Sequence, residues 1–153
     1  MRIRSTAFEG GESIPSQCTC DGENFNPELL ITEVPPESKS LVLIVDDPDA
    51  IKPAGKIWVH WTVWNIDPSI VAITEKSVPN GATEGTTDYD KPGWSGPCPP
   101  DGEHTYHFKL YALDIVLDLP SSTRKPELEE ALAGHVLEKT VLYGKYNIVE
   151  SRK

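Results

Sequence analysis

Fourteen prolines punctuate the 153 residues of this chain, and they fall between short apolar runs rather than inside them. Proline has no backbone N–H and is poorly tolerated inside helices and central strands. Apolar segments divided in this way predict a chain made of short strands and many corners. Lys39–Asp47, "KSLVLIVDD", is a continuous Val/Ile/Leu run ending at a proline, and it reads as a strand buried on both faces. Lys56–Ile66, "KIWVHWTVWNI", is a second, rich in aromatic and β-branched residues. The segment between them, Pro48–Ile57, holds two prolines and a glycine and reads as a loop. His104–Asp114 and His135–Val149 supply two further strong strands. Weaker ones are expected at Arg2–Thr6 and Leu29–Thr32, and near Ile70–Thr74 and Ala82–Thr86. One helix stands out, in "KPELEEALAG": Pro126 and three glutamates lie near its start, and Gly134 lies just past its end. The expectation is a single, mainly β domain over residues 1–153. Its antiparallel strands would form a Greek-key sandwich or barrel-like fold, with one short helix before the C-terminal strand.

The net charge of −10 argues against nucleic acid, whose binding needs Lys and Arg to neutralise phosphates. It argues equally against docking on an anionic membrane. The start, "MRIRSTAFEG", has no apolar signal segment. The longest aliphatic run, Leu41–Val45, is far too short to span a bilayer, so the chain reads as cytoplasmic. Three cysteines make no disulfide framework. Cys18, Cys20 and Cys98 read as buried or strand-lining thiols, and whether any two of them pair is left open. Cys18-Thr-Cys20 lacks the further ligands of a metal site.

Three stretches carry polar chemistry. In "DDPDA", Asp46, Asp47 and Asp49 crowd the end of a buried strand, and Pro48 stiffens the turn that holds them. In "WVHWTVW", strict alternation places Trp58, His60, Thr62 and Trp64 on one face. A buried imidazole needs partners for its ring nitrogens, and a carboxylate from the preceding loop is the expected partner of His60. In "SGPCPPDGEHTY", a rigid loop around Gly96 and Pro97 delivers His104 and Tyr106 to one face of a strand, where both can donate to an oxyanion. Catalysis has little support. Ser95 in "WSGPC" is not in a nucleophile elbow. Cys98 has no evident cause for a lowered pKa. No His-x-x-x-His spacing joins His60, His104 and Asp47 into a metal site.

Taken in order, "CDGENFNPEL", "KSLVLIVDDPDA", "WVHWTVWNI" and "GPCPPDGEHTYHFKLYALD" strongly resemble the phosphatidylethanolamine-binding protein family, the Raf kinase inhibitor-like proteins. The likeness is greatest to its compact bacterial and archaeal branch, and it runs from about Phe8 to the last strand. The resemblance implies an antiparallel β fold around a small anion pocket with no nucleophile and no cofactor. By that resemblance Asp47, Asp49, His60, Gly96, Pro97, His104 and Tyr106 are the ligand-binding residues. Ile51 stands where proline is usual, Trp94 where tyrosine is common, and Ser95 where glycine is usual. The chain also lacks room for the long C-terminal helix of the eukaryotic members. The expected function is non-enzymatic binding of phosphate or a phosphorylated ligand, with a regulatory role. The alternative is inhibition of a serine protease or kinase through rigid loops such as Ile51–Lys56 or Pro92–Gly102, and a hydrolase using Asp47, His60 and Ser95 is the weakest reading. Relatives of the bacterial branch suggest a homodimer.

Overall fold

A computed structural model describes all residues, 1–153. In chain order the elements are β1 (Arg2–Ser5), β2 (Leu29–Thr32), β3 (Ser40–Asp47), α1 (Ile51–Ala54), β4 (Trp58–Ile66), β5 (Ala72–Ile73), β6 (Thr83–Glu84), β7 (Glu103–Leu113), α2 (Lys125–Leu132) and β8 (Val136–Asn147). Two sheets form, ordered β1-β2-β5 and β6-β4-β3-β7-β8, and every strand pairing within them is antiparallel. The mainly β reading therefore holds, as open sheets and not as a closed barrel.

The uninterrupted apolar run of β3 is explained by its place at the centre of the larger sheet, with every residue buried. Leu41, Leu43 and Val45 face a core shared with Ile3, Leu29 and Ile31 of the smaller sheet. Val42 and Ile44 face the other way, onto Leu128 and Leu132 of α2. Each of those two leucines contributes roughly 1.5–3 kcal/mol by leaving water, which fixes a helix of only eight residues on the sheet. The Pro48–Ile57 segment is more ordered than a plain loop. A 3-10 turn at Pro48–Ala50 runs into the single turn of α1, which Gly55 ends in the left-handed conformation at φ 78°. No helix is long and apolar enough to cross a membrane.

Strict alternation fails along β4. Leu41 pairs with Ile66 but Leu43 with Val63, and Val45 pairs with Trp61 but Asp46 with Val59. Each shift inserts one extra residue into β4, a β-bulge that turns the following side chains over. Thus Trp64 packs against α2 while Ile66 joins Trp61 and Val63 in the inter-sheet core. At the other end the extra residue is His60. The bulge swings its ring onto the face occupied by Tyr106, at a centroid distance of 5.2 Å.

Candidate functional site

The antiparallel register brings the C-terminal end of β3, the start of β4 and the start of β7 to one edge of the large sheet, since Asp46 pairs with both Val59 and His107. Asp47, His60, His104 and Tyr106 meet there around a cavity of about 220 Å3. Trp58 and Tyr89 add aromatic wall, Ala50, Pro53 and Ala54 form one rim, and Cys98, Pro99 and Pro100 form the other. No lysine or arginine lines it.

Asp47 is held from two sides. Its Oδ1 accepts from the Asp49 amide at 2.9 Å, capping the 3-10 turn, and its Oδ2 faces His104 Nδ1 at 2.5 Å. The other ring nitrogen of His104, Nε2, lies 2.8 Å from Asp101 Oδ1. Carboxylates only accept, so an imidazole between two of them carries both protons. Burial opposes that charge, but the hydrogen bonds to Asp47 and Asp101 outweigh it and raise the His104 pKa. Burial also pushes the Asp47 carboxyl above its ordinary range, against the pull of His104.

The partner expected for His60 is therefore corrected. Asp47 belongs to His104, and His60 Nδ1 instead donates to the Ser95 carbonyl at 2.6 Å. The Ser95 amide donates back to the His60 carbonyl at 3.1 Å, so the loop is stitched directly onto the bulge. With no carboxylate in contact, burial dominates and the His60 pKa falls to about 4. The Tyr106 hydroxyl is buried and its O–H finds no acceptor in the protein, although the Cys98 backbone acts on its oxygen. Burial, then the Asp47 charge, raises its pKa.

Three of the residues named from sequence lie behind the wall rather than on it. Asp49 Oδ2 accepts from the Thr105 amide at 2.8 Å and pins the 3-10 turn to β7. The Gly96 amide donates to Asn24 Oδ1 at 2.8 Å, and the Pro97 carbonyl accepts from the Cys20 amide at 3.1 Å. A Cβ on Gly96 would sit 2.0 Å from the Cys18 carbonyl oxygen, so the loop can approach this closely only because the residue is glycine.

The reading of the cysteines as thiols is corrected as well, because Cys20 and Cys98 form a disulfide with Cα atoms 5.4 Å apart. It fastens the cavity wall to the Cys18–Asn24 segment. Arg152 adds a second fastening, donating to the Pro99 carbonyl at 2.8 Å and to Asp21 Oδ1 at 2.8 Å. Cys18 stays a thiol, which burial, aided by Glu75, pushes up to about 11. Sequence reasoning missed Tyr89, Asp101 and Arg152. Asp101 was detectable, since it lies three residues before His104 on the same loop, but nothing marks Tyr89 or Arg152 locally.

An open antiparallel β protein with a mainly apolar cavity where three strands end, into which Asp47, His60, His104 and Tyr106 are set, is the class that fold and site define. Within it, the chain belongs to the phosphatidylethanolamine-binding protein family, whose model matches residues 4–147. It is 45% identical over 151 residues to a UPF0098 protein of Methanothermobacter thermautotrophicus, covering 95% of this chain and 98% of that one. The solved phosphatidylethanolamine-binding protein homologue CT736 of Chlamydia trachomatis superposes with a TM-score of 0.88 at 39% identity, over 94% of this chain and 95% of the other. YbcL of Escherichia coli does so with a TM-score of 0.89 at 29% identity, over 97% and 98%.

Proposed function

We propose that the chain is a non-enzymatic binding protein whose cavity takes a small anion, phosphate or a phosphorylated ligand. The observation that carries this reading is Tyr106, which lines the cavity and whose buried O–H finds no acceptor in the protein, although the Cys98 backbone acts on its oxygen. An unpaired buried hydroxyl costs about 1–3 kcal/mol, and an oxyanion oxygen supplies the missing acceptor. His104 supports the same reading, because an imidazolium held charged by Asp47 offers a charge-assisted bond once Asp101 moves from Nε2. The disulfide that holds Cys98 and the use of the Ser95 carbonyl by His60 support a binding role over a nucleophilic one. The family description names phosphatidylethanolamine, a phosphate-bearing molecule, which agrees with an oxyanion ligand.

Calorimetric titration with inorganic phosphate tests this on the wild type and on Tyr106→Phe. Wild type should bind one phosphate per chain, and the variant about tenfold more weakly, the worth of one hydrogen bond to an anion. The variant should be no less stable, since the hydroxyl it removes was unpaired. Equal affinity in the two proteins, or no binding to either, sinks the reading.

A further inference from the structure

β8 is the last strand in the order β6-β4-β3-β7-β8, so one side of it pairs with β7 and the other has no strand beside it. A short strap of the same chain covers part of that open side. The Gly11 and Ile14 amides donate to the Tyr143 and Lys145 carbonyls at 2.8 and 2.7 Å, and the Lys145 amide donates to the Glu12 carbonyl at 2.9 Å. The backbone groups of Tyr143 and Lys145 therefore point outward. β8 stays in unbroken register with β7 back to Glu138, so the N–H and C=O groups of Val141 and Lys139 point outward too. Nothing in the chain bonds them. A sheet edge with unpaired backbone groups is a template for another strand. The side chains along this stretch suit one. Tyr143 is 45% exposed and stands edge-on to His107 at 4.8 Å. Lys139, on the same face, lies over the Tyr111 ring, 5.4 Å from its centre, rather than against a carboxylate. Glu138 is turned to the other face, where the N-terminal ammonium neutralises it.

We propose that Lys139–Val141 is a docking edge for an extended segment of a partner protein, one with an acidic residue opposite Lys139 and an apolar residue opposite Val141. Directly opposed residues of paired strands lie on one face. The acid thus meets the Lys139 ammonium, and the apolar side chain meets Val141 with Tyr143 diagonal to it. A second copy of this chain fits the edge poorly. Two-fold antiparallel pairing centred on Lys139 sets that lysine against its own copy, and centring it on Glu138 sets two glutamates together. Like charges directly opposite are destabilising. Centring it on Thr140 brings Leu137 of one copy against Tyr143 of the other, whose carbonyl Gly11 already holds. The lysine that guards the edge against self-pairing is therefore the group that selects a different strand. The net charge of −10 opposes a heavily acidic partner, so one acid among uncharged residues suits the chain best. The same charge turns away nucleic acid.

The probe is a peptide blocked at both ends, Thr-Val-Thr-Glu-Thr-Val-Thr, added to the full chain and followed by 15N–1H spectra and amide hydrogen exchange. The Lys139 and Val141 amides should shift and, at saturation, exchange on the order of tenfold more slowly as their N–H groups become bonded. The cavity histidines should stay unmoved. Lysine in place of the peptide glutamate should weaken binding about threefold to tenfold, the swing between an opposite and a like charge pair. Lys139→Glu should reverse that preference, which a general loss of structure would not do. N-methylation of the peptide glutamate removes its donor and blocks the ladder, and should weaken binding about tenfold or more. Equal binding of the plain and N-methylated peptides overturns the proposal, as does no binding, or an unreversed preference in Lys139→Glu. A chain that sediments as a dimer with both amides protected before peptide is added overturns it too, because a second copy then holds the edge. None of these results bears on the anion reading, since Lys139 pairs with Tyr111, towards the far end of β7 from His104.

Discussion

Replacing Cys20 and Cys98 together by serine removes the covalent link between the Cys18–Asn24 segment and the cavity wall. Both are changed at once so that no unpaired thiol is left free to cross-link chains. The bridged residues are 78 apart in sequence. Closing a loop of that length takes about 4.5 kcal/mol of conformational entropy from the unfolded chain. The native contacts beside the bridge do not depend on it: Cys20 N–H to the Pro97 carbonyl, Gly96 N–H to Asn24, Trp94 Nε1–H to the Cys18 carbonyl, and Arg152 to Pro99. The loss should therefore fall almost wholly on the unfolded state. A chain of this size loses about 2–4 °C of melting temperature per kcal/mol, so a drop of roughly 9–18 °C is expected. Urea unfolding, followed by far-UV circular dichroism and tryptophan fluorescence, should show the same loss for the double variant and for the reduced wild type. The m-value should rise as the released chain expands. Thiol titration of the unreduced, unfolded protein should find one free thiol, Cys18. Three free thiols, or a double variant as stable as the oxidised protein, would refute the reasoning.

Two further outcomes follow from the histidines. His60 has a folded pKa of about 4 against 6.5 when free, so the unfolded chain binds the extra proton first as pH falls. Stability from this group is thus complete above 6.5 and falls by about 3 kcal/mol on the way down to 4. Urea midpoints measured across that window should fall less steeply in His60→Gln than in wild type, and parallel slopes would contradict the assignment. Asp101 is a half-exposed carboxylate standing where a ligand oxygen would meet His104 Nε2. Asp101→Asn should strengthen phosphate binding about fivefold, the worth of a half-exposed ion pair, and lower the His104 pKa. Weaker binding in that variant would mean that Asp101 holds the site open rather than competing for it.

Much of this architecture was legible in the sequence because it rests on local physics. β3 reads as a central strand because its apolar run has no polar face, and α2 reads as a helix because Pro126 and Gly134 bracket it. The strand ends also place Asp47, His104 and Tyr106 at one edge. What escaped depends on partners distant in the chain. The bulge at His60 exists because β3 and β4 fall out of step by one residue, and no local pattern in "WVHWTVW" announces it. The bulge decides which way the ring points, so the partner of His60 could not be read from alternation. The Cys20–Cys98 bridge is the same kind of fact, since it depends on two loops meeting across 78 positions. Tyr89 and Arg152 reach the site from a loop and from the C-terminal turn, and each becomes meaningful only when the fold brings it there.

The chain has four histidines, two at the cavity and two away from it: His107 packs on Tyr143 at a centroid distance of 4.8 Å, and His135 faces Asp114. They give the proposed anion site an internal control. Long-range 15N–1H spectra of the imidazoles, recorded while inorganic phosphate is added at constant pH and ionic strength, test the central claim most directly. His60 and His104 should shift together and saturate at one phosphate per chain, with His107 and His135 unmoved. Four histidines drifting alike without saturation, or a cavity pair that stays still, would contradict an anion site at this edge of the sheet.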